Sequence, residues 1–181
     1  MRKSKLFLRR LTPARLLALL VALVIAGLWN VQAPQQRQLP ANLQPVTVHD
    51  GDTLRLGEQR IRLWGIDAPE LAQRCNLDGQ SQPCGEQARE ALIQLIGKSE
   101  VQCTAIDQDR YGRTVARCKV DCKELNRAMV EQGWAMDYLT YSKGEYLAAQ
   151  RAAAIAKRGI WATNFIPPWQ WRTAHSNQLR R

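Results

Sequence analysis

His49-Asp-Gly-Asp-Thr-Leu-Arg-Leu-Gly-Glu-Gln-Arg-Ile-Arg-Leu-Trp-Gly-Ile-Asp-Ala-Pro-Glu70 is the stretch around which the rest of the chain is organised. It predicts two short strands, Thr53 to Leu56 and Gln59 to Ile66, turned at Gly57, with Ile61, Leu63 and Ile66 as the apolar positions of the second. Three carboxylates, Asp52, Asp67 and Glu70, fall at the strand ends, and Arg62 lies inside the second strand. Acids that converge repel one another and call for positive charge between them. Singly, each reads as a solvated turn carboxylate, because Asp-Gly-Asp-Thr is a frequent turn composition. An EF-hand loop is excluded: Gly51 comes too early, and Ile61 stands where a bidentate Glu counted from Asp50 belongs.

Upstream, residues 1–15 are basic, and residues 16–29 (Leu-Leu-Ala-Leu-Leu-Val-Ala-Leu-Val-Ile-Ala-Gly-Leu-Trp) are almost wholly apolar. A positive segment before a hydrophobic one is a signal peptide or an uncleaved signal anchor over residues 1–33, with the apolar span at 16–31. The run is short against the roughly 20 residues of a spanning helix. Trp29 and Val31 extend it, Pro34 opposes cleavage after Ala33, and the anchor is the favoured reading. The arginines orient the rest of the chain outside the cytoplasm, tethered, or periplasmic or secreted if the leader is cut. Residues 34–44 read as a polar linker, 45–172 as one domain and 173–181 as a flexible tail.

The formal charge of +10 overstates the basicity of that domain. Arg2, Lys3, Lys5, Arg9, Arg10 and Arg15 belong to the leader; without these six of the 26 cations, 20 face 16 acids. A mildly basic domain suits a polyanion without requiring one. Export would place the five cysteines in an oxidising space. The favoured bridges are Cys75–Cys84, closing a short loop, and Cys103–Cys118, facing each other across a hairpin at Arg110–Tyr111; five reduced thiols are the alternative. Cys122 follows Asp121 at a turn and is left unpaired. A zinc site is poorly supported, with no C-x-x-C pair and with His49 and His175 as the only histidines.

Downstream, residues 71–84 read as a polar loop. Ala88, Ala91, Leu92, Leu95 and Ile96 share one face of a helix that Gly97 ends. Ser99 to Ile106 and Arg113 to Val120 predict strands joined by a charged turn at Asp107–Gly112. Glu124 to Gln132 and Gly144 to Arg158 predict two more helices. Trp161, Pro167, Pro168, Trp169 and Trp171 form an aromatic tail that packs on the domain. The order suits an α+β fold, a small antiparallel barrel carrying helices.

Asp50-Gly-Asp-Thr53, Arg62-Leu-Trp-Gly-Ile-Asp-Ala-Pro-Glu70, Asp109-Arg-Tyr-Gly-Arg113, Leu125-Asn-Arg-Ala-Met-Val-Glu-Gln-Gly133 and Gly159-Ile-Trp161 together resemble the thermonuclease, or staphylococcal-nuclease-like, family. The resemblance runs from about Pro45 to about Trp171. It implies a five-stranded OB-fold barrel with three helices, and Ca²⁺-dependent hydrolysis of DNA or RNA phosphodiesters. By resemblance, Asp52, Asp67, Glu70 and the backbone carbonyl of Ala68 hold the calcium. Well-studied members have Thr where this chain has Ala68, a change that a carbonyl ligand tolerates. Arg62 and Arg113 match two arginines at the phosphate; Glu70, by its own reach, can position or deprotonate the attacking water. Arg110 and Tyr111 match residues lining the nucleotide site.

The chemistry is coherent. A phosphodiester gains negative charge as a nucleophile adds, so fixed cations aimed at its oxygens lower the barrier. Guanidinium forks bind two phosphate oxygens and stay charged. Pro69 holds Ala68 extended, so its carbonyl and Glu70 can be presented together. Tyr138 and Tyr141 can stack on a base or pack on the domain, and Tyr141 is the candidate substrate contact. The competing reading is a non-catalytic OB module that binds nucleic acid or a protein partner at the membrane surface. No oligomerisation signal stands out, and a monomer is expected.

Overall fold

The computed structural model describes residues 37–38 and 45–175. The expected leader and anchor over residues 1–33, most of the expected linker and the last six residues of the expected tail lie outside the described residues; among those described, no helix is long and apolar enough to cross a membrane. The element order is β1 (Arg37–Gln38), β2 (Val46–Val48), β3 (Thr53–Leu56), β4 (Gln59–Leu63), β5 (Ile66–Asp67), β6 (Cys75–Leu77), β7 (Gln80–Gln82), α1 (Cys84–Ile96), β8 (Val101–Gln108), β9 (Thr114–Val120), β10 (Lys123–Glu124), α2 (Leu125–Glu131), β11 (Met136–Asp137), α3 (Leu139–Ser142), α4 (Leu147–Ile155), a 3-10 turn (Gly159–Ala162) and α5 (Pro168–His175).

The central hairpin is as the alternation requires. β3 and β4 pair antiparallel, with Leu54 opposite Ile61 and Thr53 opposite Arg62, while Gly57 takes φ +53° in the turn. Leu54, Leu56, Ile61 and Leu63 are buried, each removal from water being worth about 1.5–3 kcal/mol. β4 stops at Leu63 rather than at Ile66. Gly65, at φ +73°, turns the chain, and Ile66–Asp67 leave the main sheet to pair with β11.

The expected closed antiparallel barrel needs correction. The main sheet is mixed: it runs β1-β8-β9-β4-β3-β2 with β10 on β9, and β4 pairs with β9 in parallel. Its ladder does not close among the described residues. β2 is only three residues long, and Arg37–Gln38 pair with β8 at Ala105 and Thr104. Between β2 and the start of β8, a groove lined by Val46, Val48, Ile93, Ile96 and Val101 stands where ladder bonds would close a barrel. The helices exceed the expected three. Pro168 opens α5, since its fixed φ and missing N–H suit a first helical turn. Residues 71–84, read as a loop, contain the β6–β7 hairpin.

Disulfides join Cys75 to Cys84 and Cys103 to Cys118, the second directly across the β8–β9 pair; Cys122 is an exposed thiol. Ala88, Leu92 and Ile96 of α1 and Leu125 and Met129 of α2 cover the main sheet. A second apolar cluster, Cys75, Cys84, Met136 and Ile160, takes the aromatic tail through Trp161, Phe165 and Trp169. Asn126 is fully buried: it accepts the Cys118 N–H at 3.0 Å and donates to the carbonyls of Trp64 (2.8 Å) and Ala116 (3.3 Å). Each buried group left unpaired costs about 1–3 kcal/mol. Asn126→Ala is therefore expected to lower unfolding stability by at least about 2 kcal/mol, read as a lower urea midpoint at unchanged m-value.

Candidate active site

The carboxylates reach one end of the sheet from three backbone positions: the loop before β3, β5, and the segment before β6. Gly51 and Gly85 make the approach possible. A Cβ on Gly51 would stand 2.7 Å from the Ala68 Cβ, and one on Gly85 would stand 1.8 Å from the Glu70 carbonyl oxygen. The Ala68 N–H donates to Asp52 Oδ2 at 3.0 Å, tying the two loops together. The buried Gln73 accepts the Glu70 N–H at its side-chain oxygen (3.3 Å) and donates to the Ile166 carbonyl (2.7 Å).

Arg62 bridges Asp52 and Asp67. Its Nη1 meets Asp52 Oδ1 at 2.5 Å and its Nη2 meets Asp67 Oδ1 at 2.7 Å. Those carboxylate side chains are 4% and 0% exposed. Burial disfavours the charge on Arg62, but Asp52 and Asp67 outweigh it and hold the guanidinium pKa above its ordinary value. Burial likewise raises Asp67, with Asp52 adding to the effect and Arg172 and Arg62 opposing it.

Arg113 arrives from the other hairpin. Asp109 Oδ1 accepts the N–H groups of Tyr111 and Arg113, both at 2.9 Å, and Oδ2 accepts Arg113 Nε at 2.7 Å. Burial raises the Asp109 carboxyl, but the bonds from Arg113 and Tyr111 together outweigh it and hold the group below its usual range. Arg113 Nη1 then reaches Thr53 Oγ1 at 3.3 Å, and that hydroxyl bonds Asp52 Oδ1 at 3.0 Å. Tyr111 is 60% exposed, with its ring 5.6 Å from the Arg113 guanidinium carbon and its hydroxyl bonded to Arg110 at 2.8 Å. Arg62 therefore meets the acids directly and Arg113 through Thr53, while Tyr111 adjoins Arg113 and Arg110 adjoins Tyr111. Tyr141 is also exposed, but it packs on Tyr138 (5.2 Å between rings), which stacks in turn on Trp169.

Two residues escape sequence reasoning. Asp50 sits beside Asp52, and burial, then the charges of Asp52 and Glu70, push its carboxyl up to about 7. Its signal is the Asp-Gly-Asp repeat itself. Arg172 has no such signal. It lies 105 residues from Asp67, yet its Nη1 and Nη2 bond the two Asp67 oxygens at 2.9 Å each, and Nη1 also bonds Glu70 Oε1 at 2.7 Å. The expected calcium ligands thus meet guanidinium groups. Among the described residues no three acidic, histidine or cysteine side chains stand as a ready metal set. Their chemistry still fits a hard cation: every donor is oxygen, and Asp52, Asp67 and Glu70 are brought together through shared bonds to Arg62 and Arg172.

The staphylococcal nuclease homologue family model matches residues 60–163, more than half of the chain. Among similar proteins, the succinoglycan biosynthesis protein ExoI of Rhizobium meliloti is 40% identical over 119 residues, 64% of this chain and 62% of that protein. The probable staphylococcal-like nuclease CAN2 of Oryza sativa subsp. japonica is 35% identical over 128 residues, 70% of this chain and 32% of that protein. The chain therefore spans less than two thirds of the length of either of these two relatives. An uncharacterized endonuclease of Haemophilus influenzae is 37% identical over 134 residues, 70% of each chain. The matched span holds Arg62, Asp67, Glu70 and the Asp109–Arg113 turn, and this chain belongs to the staphylococcal nuclease homologue family.

Proposed function

We propose that the chain is a calcium-dependent nuclease that hydrolyses phosphodiester bonds of DNA or RNA by in-line attack of water. The observation that carries this reading is the meeting of Arg62, on β4, and Arg113, in the turn before β9, at one carboxylate cluster through Thr53 and Asp52. The family's named nucleases support it. Asp52, Asp67, Glu70 and the Ala68 carbonyl would hold the calcium. When bound, that ion supplies a hard Lewis acid that offsets charge on the phosphate.

The chain's own groups supply the rest. Glu70, 28% exposed, has access to solvent and is suited to take a proton from the attacking water. Arg113, held by Asp109, presents the remainder of its guanidinium to a phosphate oxygen and steadies the leaving group. Arg62 fixes the carboxylates and closes the phosphate site from the sheet side. Tyr111 and Arg110 offer a ring face and a cation to the nucleotide, and Tyr141 offers a second exposed ring. The basic and then apolar leader supports action outside the cytoplasm, tethered or released, by a monomer.

Cleavage of DNA and RNA by the purified chain is expected with calcium and not with EGTA. Glu70→Gln and Arg113→Ala are expected to lower the rate at least about 100-fold, as loss of a positioned base or transition-state donor does. Binding without calcium-stimulated cleavage would instead favour the non-catalytic module. Arg62→Ala and Arg113→Ala should also separate in stability. The first leaves buried Asp52 and Asp67 short of counter-charge and is expected to cost about 3–5 kcal/mol. The second breaks a single pair, with Asp109, whose side chains are each 18% exposed, and is expected to cost less, about 1–2 kcal/mol. Urea unfolding of both variants measures the difference.

A further inference from the structure

Three carboxylates and two guanidiniums alternate in space: Asp52, Arg62, Asp67, Arg172, Glu70. The two cations are not equivalent. Arg62 lies in the middle of the sheet, its side chain 16% exposed and paired with two buried acids. Arg172 stands at the rim, its side chain 31% exposed beside a Glu70 that is 28% exposed. A carboxylate oxygen accepts about two hydrogen bonds. Asp67 Oδ1 already has two, from Arg62 and Arg172, and Arg172 also takes Oδ2 and Glu70 Oε1. Arg172 is thus the one side chain that engages both Asp67 oxygens and a Glu70 oxygen together, where a metal ion shared by the two acids would sit.

The segment that delivers Arg172 is also anchored by contacts other than those with the carboxylate side chains. Trp169 stacks on Tyr138, with ring centroids 6.2 Å apart and planes 12° apart, and it packs on the cluster around the Cys75–Cys84 bridge. Pro168 is buried, and the Ile166 carbonyl accepts from Gln73. A tethered cation competes at a high effective concentration, with no diffusional cost.

We propose that Arg172 is a built-in competitor of the divalent cation: its guanidinium occupies the Asp67–Glu70 end of the acidic cluster and must swing out when the ion binds. This rests on the calcium reading of the site. The apparent affinity for an ion falls by the fraction of molecules in which the site is vacant, so an arginine seated nine-tenths of the time weakens binding about tenfold. Calcium uptake then depends on whatever holds or draws off the C-terminal helix, and a phosphate is one group able to take the freed guanidinium.

Calcium titration of the full-length chain by calorimetry, for the wild type, Arg172→Lys and Arg172→Gln, tests this, with circular dichroism reporting the fold. The expected result is binding about tenfold tighter in Arg172→Gln, with Arg172→Lys between it and the wild type. Equal or weaker binding in a folded Arg172→Gln overturns the competition and leaves the calcium reading standing. No uptake by any of the three overturns the calcium reading, and the competition with it. A readout on the wild type alone needs no variant to fold. NMR of the Arg172 guanidinium is expected to show hindered rotation about Cζ–Nε without calcium and free rotation at saturation. Rotation still hindered in the calcium-loaded protein means that Arg172 lends only its field and never leaves, and overturns the proposal.

Discussion

The bridge from Arg62 to Asp52 and Asp67 is the interaction on which the site end of this fold depends. Asp67 has no solvent exposure at its side chain, and an isolated carboxylate in that position would be too costly to keep ionised. Asp52 and Asp67 reach the interior because Arg62 stands between them, and Arg62 stands there because it is paired across the sheet with Thr53. The strand register thus sets the electrostatics. Shifting β4 by one residue would turn Arg62 to the opposite face and bring Ile61 or Leu63 to the acids. A buried ion network of this kind is weak evidence for stability, and its value lies in the geometry that it imposes.

That geometry has a steric counterpart. The Asp50–Thr53 loop, the Ala68–Glu70 segment and the start of α1 approach so closely that Gly51 and Gly85 have no room for a Cβ. Ala68 is itself buried, and its Cβ lies 2.7 Å from where a Cβ on Gly51 would stand. Gln73 then connects the Glu70 backbone to the C-terminal segment through Ile166. The exposed carboxylate and the helix bearing Arg172 are therefore parts of one hydrogen-bonded frame, although they lie far apart in the chain. Arg113 joins the frame through a different device, a carboxylate-capped turn that holds the guanidinium by its Nε and lets Nη1 reach Thr53.

What such a frame can do follows from its charges. Two arginines near one another beside several acids can attract an anion only when the acids are satisfied by something else. A hard divalent ion answers that need, and so does a guanidinium. The second cluster of apolar residues, with its disulfide and tryptophans, looks at first like packing alone. Its further effect is to seat the helix that brings a cation to the acids. The proposed calcium site and the packing of the tail thereby meet at Asp67 and Glu70.

Much of this was legible in the residues. The hairpin from Thr53 to Leu63 follows from alternation and a glycine turn, and α1 follows from its apolar spacing. Both disulfides follow from loop length and from facing positions on a hairpin. The core of the site was legible too, because Asp52, Arg62, Asp67 and Glu70 lie within 19 residues of one another, and local chain geometry forces them close. The parallel β4–β9 pair, the open ladder, the early end of β4 and the seat of Arg172 were decided by tertiary structure. None of these has a local cause: each depends on which distant surfaces bury one another, and an arginine in an aromatic tail carries no mark of the carboxylates it will meet. Periodicity and turn chemistry act over a few residues, whereas long-range ion pairing is settled only when the core has closed.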